Sequence, residues 1–196
     1  MLTLPDNSLY AVLALILSAG VALLLWPVAR RFGLVDKPDD DLKDHESETP
    51  IVGGIAVFVA FHGGLALAGQ FDVWLLGVTL FLLLVGIADD LLGLSPWMRL
   101  GAAGVAGVLL VYAVDADSDL LAALAVVLLV VVAVNAVSLL DGADGVAGSA
   151  GLVTALGFVF LALIRDVDAI APLLLAGSLG GFLILNWPKA RIFLGD

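Results

Sequence analysis

The chain has 196 residues, of which 62% are hydrophobic and 14% are charged, whereas a soluble domain is usually about half apolar and about a quarter charged. This composition excludes an ordinary soluble domain and indicates a membrane protein along its whole length. The formal net charge of −11 argues against nucleic acid as a partner, because nucleic-acid binding depends on clusters of lysine and arginine. The chain has no cysteine, which excludes disulfides.

Seven uncharged runs follow one another along the chain, and each is predicted to be a membrane-spanning helix, which needs about 20 mostly apolar residues. The third and fourth runs are short, and we expect them to extend into Leu91–Met98 or to be sheltered by neighbours. The predicted fold is therefore all-α, a polytopic membrane helix bundle of about seven transmembrane helices, with 1–196 as a single transmembrane domain. The runs are 7–29, 49–71, 73–88, 100–114, 120–140, 145–164 and 169–188.

Lysine and arginine accumulate on one side of this topology. Such residues mark the cytoplasmic side of a membrane protein, so the N-terminus is predicted to be outside and the basic connections cytoplasmic. The outer connections are short and acidic and show no sign of a site. The basic residues of the inner side are Arg30, Arg31, Lys37, Lys43, Arg99, Lys189 and Arg191, and Arg165 alone is assigned to the outer side.

The first inner connection, 33–54, reads G-L-V-D-K-P-D-D-D-L-K-D-H-E-S-E-T-P-I-V-G-G. Lys43 and His45 are cationic or potentially cationic groups within it. Pro50 suits the first turn of a helix, so the second span is predicted to open there. A solvated loop followed by a plain helix start is an equally good interpretation.

The second inner connection begins with Asp89 and Asp90, which end an apolar run with no adjacent lysine or arginine. Ionised carboxylates near hydrocarbon are costly and are usually functional or paired. Two adjacent carboxylates repel each other, and a divalent cation would relieve that repulsion. The alternative is an ordinary pair of boundary aspartates that face water.

The third inner connection reads N-A-V-S-L-L-D-G-A-D-G-V-A-G-S and starts at Asn135. If it is helical, Asp141 and Asp144 share one face. Its glycines make a turn with free backbone N–H groups equally reasonable. The fourth, N-W-P-K-A-R-I-F-L-G-D, runs from Asn186 to Asp196 and combines two cations with a carboxylate.

One predicted membrane face thus carries five carboxylates together with cations and glycine turns. Mg²⁺ prefers oxygen ligands, binds one or two carboxylates and takes further ligands from phosphates. Phosphoryl transfer depends mainly on positioning and charge neutralisation, and lysine and arginine can hold phosphate oxygens. The residues therefore favour Mg²⁺-dependent phosphoryl transfer at the inner face. The carboxylates are Asp89, Asp90, Asp141, Asp144 and Asp196.

The four segments, taken in order, resemble the polyprenyl-phosphate N-acetylhexosamine-1-phosphate transferases of glycosyltransferase family 4. The matching motifs are G-L-V-D-K-P with K-D-H and P-I-V-G-G, G-I-A-D-D, N-A-V-S-L-L-D-G-A-D-G, and N-W-P-K-A-R-I-F-L-G-D. They cover about residues 20–196. The first motif is closest to the undecaprenyl-phosphate GlcNAc-1-phosphate transferase branch, which starts O-antigen, common-antigen and teichoic-acid synthesis.

The resemblance implies a bacterial inner-membrane enzyme whose active site faces the cytoplasm. It would transfer N-acetylhexosamine 1-phosphate from a UDP-sugar, with UDP-GlcNAc expected, to undecaprenyl phosphate and release UMP. It implies Mg²⁺, with Mn²⁺ as an alternative ion, and a homodimer in membrane lipid. By motif position, Asp89 and Asp90 would be catalytic, and Asp196 and Asp90 would bind the metal. The implied substrate-binding residues are Asp141, Asp144, Asn135, Asn186, Lys43 and His45.

Three departures from the family pattern keep alternatives open. Ser138 replaces a second asparagine, and the first inner connection is unusually acidic. Family members also continue for several more helices, so the chain is expected to be the N-terminal portion of a longer fold. A truncated, non-catalytic family fragment is therefore one alternative. A cation- or proton-coupled transporter is the other, although its carboxylates should cluster near the bilayer midplane.

Overall fold

The computed structural model of the chain describes residues 4–36, 48–114, 119–141 and 144–195. A helix overlaps each of the seven predicted runs, and a short antiparallel ribbon of two strands lies between the first two helices. The helices are α1 (Leu4–Phe32), α2 (Gly53–Leu67), α3 (Val73–Leu92), α4 (Pro96–Ala113), α5 (Leu120–Leu140), α6 (Val146–Arg165) and α7 (Ile170–Asn186). The strands are β1 (Val35–Asp36) and β2 (Thr49–Pro50).

The predicted all-α polytopic membrane bundle is confirmed. Helices α1, α3, α4, α5 and α6 are long and apolar enough, by length and composition, to cross a membrane. Helices α2 and α7 have 15 and 17 residues. At 1.5 Å per residue they are only about 22 and 26 Å long, against a hydrocarbon core of about 30 Å. Spanning by these two helices therefore stays a prediction.

The helices fall into two compact units. Helices α1, α2, α6 and α7 and the ribbon make up the first unit, and α3, α4 and α5 make up the second. The connection between α5 and α6, which carries the third motif, is the place where the chain passes from the second unit back to the first. The prediction of a single transmembrane domain stays a prediction.

Close packing of α1 against α7 organises the first unit. Gly177 and Gly181 of α7 face α1 so closely that an added Cβ would collide with the carbonyl oxygens of Ala11 and Leu15, respectively. Small residues at this spacing allow two helix backbones to approach each other, which is the usual way in which membrane helices associate. Phe182 follows on α7, is fully buried, and belongs to the core that α1, α2 and α7 share.

The start of the second span differs from its prediction. Pro50 does not open a helix: it lies in β2, and α2 begins at Gly53. The reason is that the backbone of 49–51 is already paired in extended form. The N–H group of Ile51 donates to the carbonyl of Leu34 at 3.0 Å, and the carbonyl of Pro50 accepts from the N–H group of Phe193 at 2.9 Å.

The acidic residues of the predicted outer connections cap helices. Asp72 and Asp119 immediately precede α3 and α5, and Asp168 lies two residues before α7 begins. Each carboxylate accepts a hydrogen bond from the backbone N–H two residues further on, at 2.8 to 2.9 Å. A helix leaves its first N–H groups without partners, and aspartate both accepts from them and favours the positive end of the helix dipole. These three aspartates therefore have a structural role at helix starts.

Replacing Asp72 by alanine should destabilise the protein, because Asp72 also accepts from the N–H group of Leu75 at 3.0 Å. Loss of such a cap costs about 1 kcal/mol. Asp72→Asn keeps the side-chain acceptor and should behave nearly as the unchanged protein. Melting temperatures of the detergent-solubilised variants measure the difference, and equal melting of Asp72→Ala and Asp72→Asn would contradict the capping role.

Candidate functional site

The residues predicted for the site are divided between the two units. Lys43, His45 and Asp196 lie outside the described residues. Asp144 and Asn186 belong to the first unit. The second unit holds the others, which are Asp89, Asp90, Asn135 and Asp141.

In the first unit, the segment after α7 folds back onto the start of α2. The N–H groups of Gly53 and Gly54 donate to the carbonyls of Phe193 and Leu194 at 2.9 and 2.7 Å. These donors are among those that a helix start leaves unpaired. A side chain at position 53 would not fit, because its Cβ would lie 2.7 Å from the carbonyl oxygen of Phe193. The motifs P-I-V-G-G and I-F-L-G are therefore joined through their backbones.

Asn186 ties the third and fourth motifs together. Its side chain is 3% exposed. The side-chain oxygen accepts from the N–H group of Gly145 at 2.9 Å, and the side-chain nitrogen donates to the carbonyl of Ile192 at 2.9 Å. One amide thereby connects the start of α6, the end of α7 and the segment that follows α7. The structure gives Asn186 a definite role in holding these segments together, whichever ligand the site takes.

Asp144 adds a second tie at the surface of the same unit. Its Oδ2 accepts from the backbone N–H of Ala190 at 3.2 Å, and the residue is exposed. Lys189 and Arg191, on the same segment, are also exposed. Exposed cations on a segment that hydrogen bonds hold in place can bind an anionic ligand without a change in the fold.

Asp141 and Asp144 lie between α5 and α6 and within neither helix, so the alternative of a shared helix face is wrong. Helix α5 ends at Leu140, Asp141 caps it, and α6 begins at Val146. Gly145 takes a left-handed conformation with φ +76°, which a residue with a Cβ adopts only at a cost. A Cβ there would also lie 2.6 Å from Cδ1 of Trp187.

Asn135 lies on α5, one and a half turns before the helix ends. Its side-chain nitrogen donates to the carbonyl of Val131 at 2.8 Å, within the same helix. Both Asn135 and Asp141 are half-buried. This places the two residues at the same end of α5.

Asp89 is the most constrained carboxylate of the second unit. It lies in the last turn of α3 and is 8% exposed. Its Oδ1 accepts from the N–H group of Leu94 at 2.7 Å, and its Oδ2 lies 3.1 Å from Nη1 of Arg99. Sequence reasoning did not pair Arg99 with Asp89, because the two residues are ten positions apart and lie on different helices. The signal that could have found it is the short Gly-Leu-Ser-Pro turn, which returns the chain beside the end of α3.

Mg²⁺ is the metal that the sequence predicts for this site. Within 4–36, 48–114, 119–141 and 144–195, no group of three or more histidine, aspartate or glutamate side chains could hold a metal ion. Mg²⁺ often takes only one or two protein carboxylates and completes its shell with water and phosphate. Asp90 is half-buried and suits such a role, while Asp196 is outside the described residues. Mg²⁺ stays a prediction.

The sequence pattern of glycosyl transferase family 4 matches residues 73–196, more than half of the chain and three of its four motifs. The chain belongs to glycosyl transferase family 4. Helices α1 and α2 and the ribbon precede the matched region. The membership confirms the resemblance that the four motifs suggested.

Two curated relatives carry the same name, undecaprenyl-phosphate alpha-N-acetylglucosaminyl 1-phosphate transferase. The protein from Pasteurella multocida is 32% identical over 93 residues, and the one from Haemophilus influenzae is 33% identical over 95 residues. Each match covers 45% of this chain and 26% of the relative. The matched part of the chain therefore spans about a quarter of the length of each curated relative.

Replacing Asn186 by alanine should destabilise the first unit. The change leaves the buried N–H of Gly145 and the carbonyl of Ile192 without their partners, and each unsatisfied group costs about 1–3 kcal/mol. Asn186→Asp keeps the acceptor but buries a charge whose second oxygen would face the carbonyl oxygen of Ile192, so it should not restore the stability. Ile184→Ala, at an exposed position of the same helix, is the control. Thermal unfolding in detergent measures all three, and equal melting of Asn186→Ala and the control would contradict the role of the amide.

Gly145→Ala should lower the free energy of unfolding by more than about 1 kcal/mol, because a left-handed alanine alone costs roughly that amount and its Cβ would crowd Trp187. The matched control is Gly101→Ala, since Gly101 lies within helix α4 with open space around its Cα. There alanine should be neutral or stabilising, because glycine is a poor helix former. Denaturant or thermal unfolding compares the pair, and similar losses at both positions would exclude the proposed constraint at Gly145.

Proposed function

We propose that the protein transfers N-acetylhexosamine 1-phosphate from a UDP-sugar to a polyprenyl phosphate in the membrane. The observation that carries the proposal is the family match over 73–196, which includes Asp89 and Asp90, the 135–145 segment and the 186–196 segment. The names of the two relatives support GlcNAc 1-phosphate as the transferred group and undecaprenyl phosphate as the acceptor.

The proposed reaction is a single phosphoryl exchange. An oxygen of the lipid phosphate bonds to the β-phosphorus of the UDP-sugar, the bond from that phosphorus to the oxygen of UMP breaks, and a lipid diphosphate sugar forms. The negative charge of the leaving UMP needs stabilisation, and such reactions depend on positioning and electrostatics more than on covalent protein chemistry. Mg²⁺, held by Asp90 and Asp196, would supply charge neutralisation for the diphosphate.

The chain's own residues would divide the remaining work. Lys189 and Arg191 are exposed on the segment that Asn186 and Asp144 hold in place, and they can bind phosphate oxygens. Asn135, Asp141, Asp144, Lys43 and His45 are proposed to line the binding site for the nucleotide and the sugar. The basic connections would face the cytoplasm of a bacterial inner membrane, and the enzyme would initiate the synthesis of an envelope polysaccharide, as a monomer or a homodimer.

The positions of the carboxylates favour the enzyme over a transporter. A coupled transporter should carry its ionisable groups near the bilayer midplane. Asp89 and Asp90 lie in the last turn of α3, and Asp141 and Asp144 lie in the connection between α5 and α6. These groups are at helix ends, where a lipid phosphate and a soluble nucleotide can both reach.

Membranes that contain the full-length protein should release UMP from UDP-GlcNAc only when undecaprenyl phosphate is added. Chelation should stop the release, and Mg²⁺ or Mn²⁺ should restore it. Asp90→Asn and Asp196→Asn should each lose at least about 100-fold in rate, the lower range for a group that acts directly on the reacting atoms. Asp72→Asn, which keeps the helix cap at the opposite end of α3 from Asp90, is the control.

The outcomes separate the alternatives. Acceptor-dependent release of UMP from another UDP-N-acetylhexosamine but not from UDP-GlcNAc would show that the donor sugar is different and would still support the proposed reaction. Correctly folded protein that releases no UMP from any UDP-sugar would favour a non-catalytic role. Full activity in Asp90→Asn and Asp196→Asn would exclude the proposed metal and reaction site.

A further inference from the structure

The turn between α3 and α4 is built around Asp89. The carbonyl of Asp89 accepts from the N–H group of Gly93 at 2.8 Å, and its carboxylate accepts from the N–H group of Leu94 at 2.7 Å. Gly93 has φ +64°, and Ser95 then caps the next helix. Main-chain and side-chain atoms of one residue therefore close the end of α3 and direct the chain into α4.

Arg99 completes this arrangement from the first turn of α4. Its Nη1 lies 3.1 Å from Oδ2 of Asp89, and the two side chains are 39% and 7% exposed. A cation near a helix N-terminus is unfavourable toward the helix dipole, and a carboxylate that is nearly excluded from water is costly unless it is paired. The carboxylate of Asp89 therefore offsets the unfavourable interaction of Arg99 with the helix dipole, and the charge of Arg99 offsets the cost of burying Asp89.

The neighbour of Asp89 is placed by the same contacts. Successive residues of an α-helix diverge by about 100° around the axis, so Asp90 points away from the direction that Asp89 takes toward Leu94 and Arg99. Asp90 is half-buried, whereas Asp89 is buried. Fixing the last turn of α3 through Asp89 consequently fixes the direction of Asp90. The charge of Arg99 also reduces the repulsion between the two adjacent carboxylates.

We propose that Asp89 and Arg99 are a positioning pair for Asp90, and that Asp90 is the carboxylate of this motif that meets the reacting groups. The inference rests on the proposed function and deepens it, because it separates two aspartates that their motif presents as equivalent. It also assigns a role to Arg99, which acts through Asp89 and has no contact with the substrate in this proposal.

Kinetics of UMP release by full-length protein in membranes test the pair. Arg99→Gln should lower kcat by about 10- to 100-fold, with little change in KM for the UDP-sugar. A loss of this size is typical when a residue that orients a metal ligand is replaced. Arg99→Lys keeps the charge and should recover most of kcat. In a background of Asp90→Asn, which alone loses at least about 100-fold, Arg99→Gln should cause no further loss.

A double-mutant cycle on melting temperature tests the ion pair itself. Arg99→Gln leaves a buried carboxylate without its cation, so it should melt well below the unchanged protein. Adding Asp89→Asn removes that carboxylate's charge and keeps an oxygen for the N–H of Leu94. The double variant should therefore melt higher than Arg99→Gln alone.

Three results would overturn the proposal. The first is a lower melting temperature of Arg99→Gln with unchanged kcat in the folded protein, which would make the pair structural only. The second is a loss in Asp89→Asn as large as that in Asp90→Asn with no effect of Arg99→Gln, which would place Asp89 among the reacting groups. The third is additive melting shifts in the cycle, which would exclude the pair.

The proposed function has its own separate readout. Unchanged protein that releases no UMP would refute the transferase and, with it, the kinetic part of this inference. The melting cycle would still decide whether Asp89 and Arg99 form the pair.

Discussion

Backbone N–H groups at helix starts need acceptors, and this requirement connects the motifs of this protein to its fold. An apolar surrounding offers no water to satisfy such donors. The starts of α3, α5 and α7 donate to aspartate side chains. The start of α2 donates to the carbonyls of Phe193 and Leu194, and the start of α6 donates to the side-chain oxygen of Asn186. Where a cap comes from a distant segment, that segment is held in place. The fourth motif is thus held in place because its carbonyl groups and its Asn186 side chain accept hydrogen bonds from the starts of α2 and α6.

Electrostatics play the corresponding part in the second unit. A buried carboxylate is costly by itself, and Asp89 is stabilised by one backbone donor and one guanidinium. Because the donor is on the turn and the guanidinium is on α4, the same contacts that stabilise the charge also set the path of the chain. Charge and backbone geometry are therefore coupled at the end of α3, and a change to either should alter the direction of the Asp90 side chain.

Local rules were sufficient for the helices but not for the site. Composition and run length predicted seven helices, and the charged or glycine-containing connections marked their ends to within a few residues, because apolar length is a property of contiguous sequence. Pro50 was misread because its environment is set by Phe193, more than 140 positions away. Asn186 and Asp89 were identified as important, but their partners were not. Gly145 lies 41 positions from Asn186, and Arg99 meets Asp89 because a short turn brings the start of α4 back beside the end of α3.

The polar motifs of both units combine a buried polar side chain with a less buried acid. In each, one polar side chain is buried, Asn186 in the first and Asp89 in the second, while a nearby acid is less buried, Asp144 or Asp90, although Asp144 also accepts a hydrogen bond from Ala190. A buried group whose hydrogen bonds are made with the protein fixes backbone geometry, and an accessible carboxylate can exchange water for a ligand. A shared motif therefore does not give every acid in it the same task. The burial and bonding of each residue are the better guide to which carboxylate supports the site and which one acts in it.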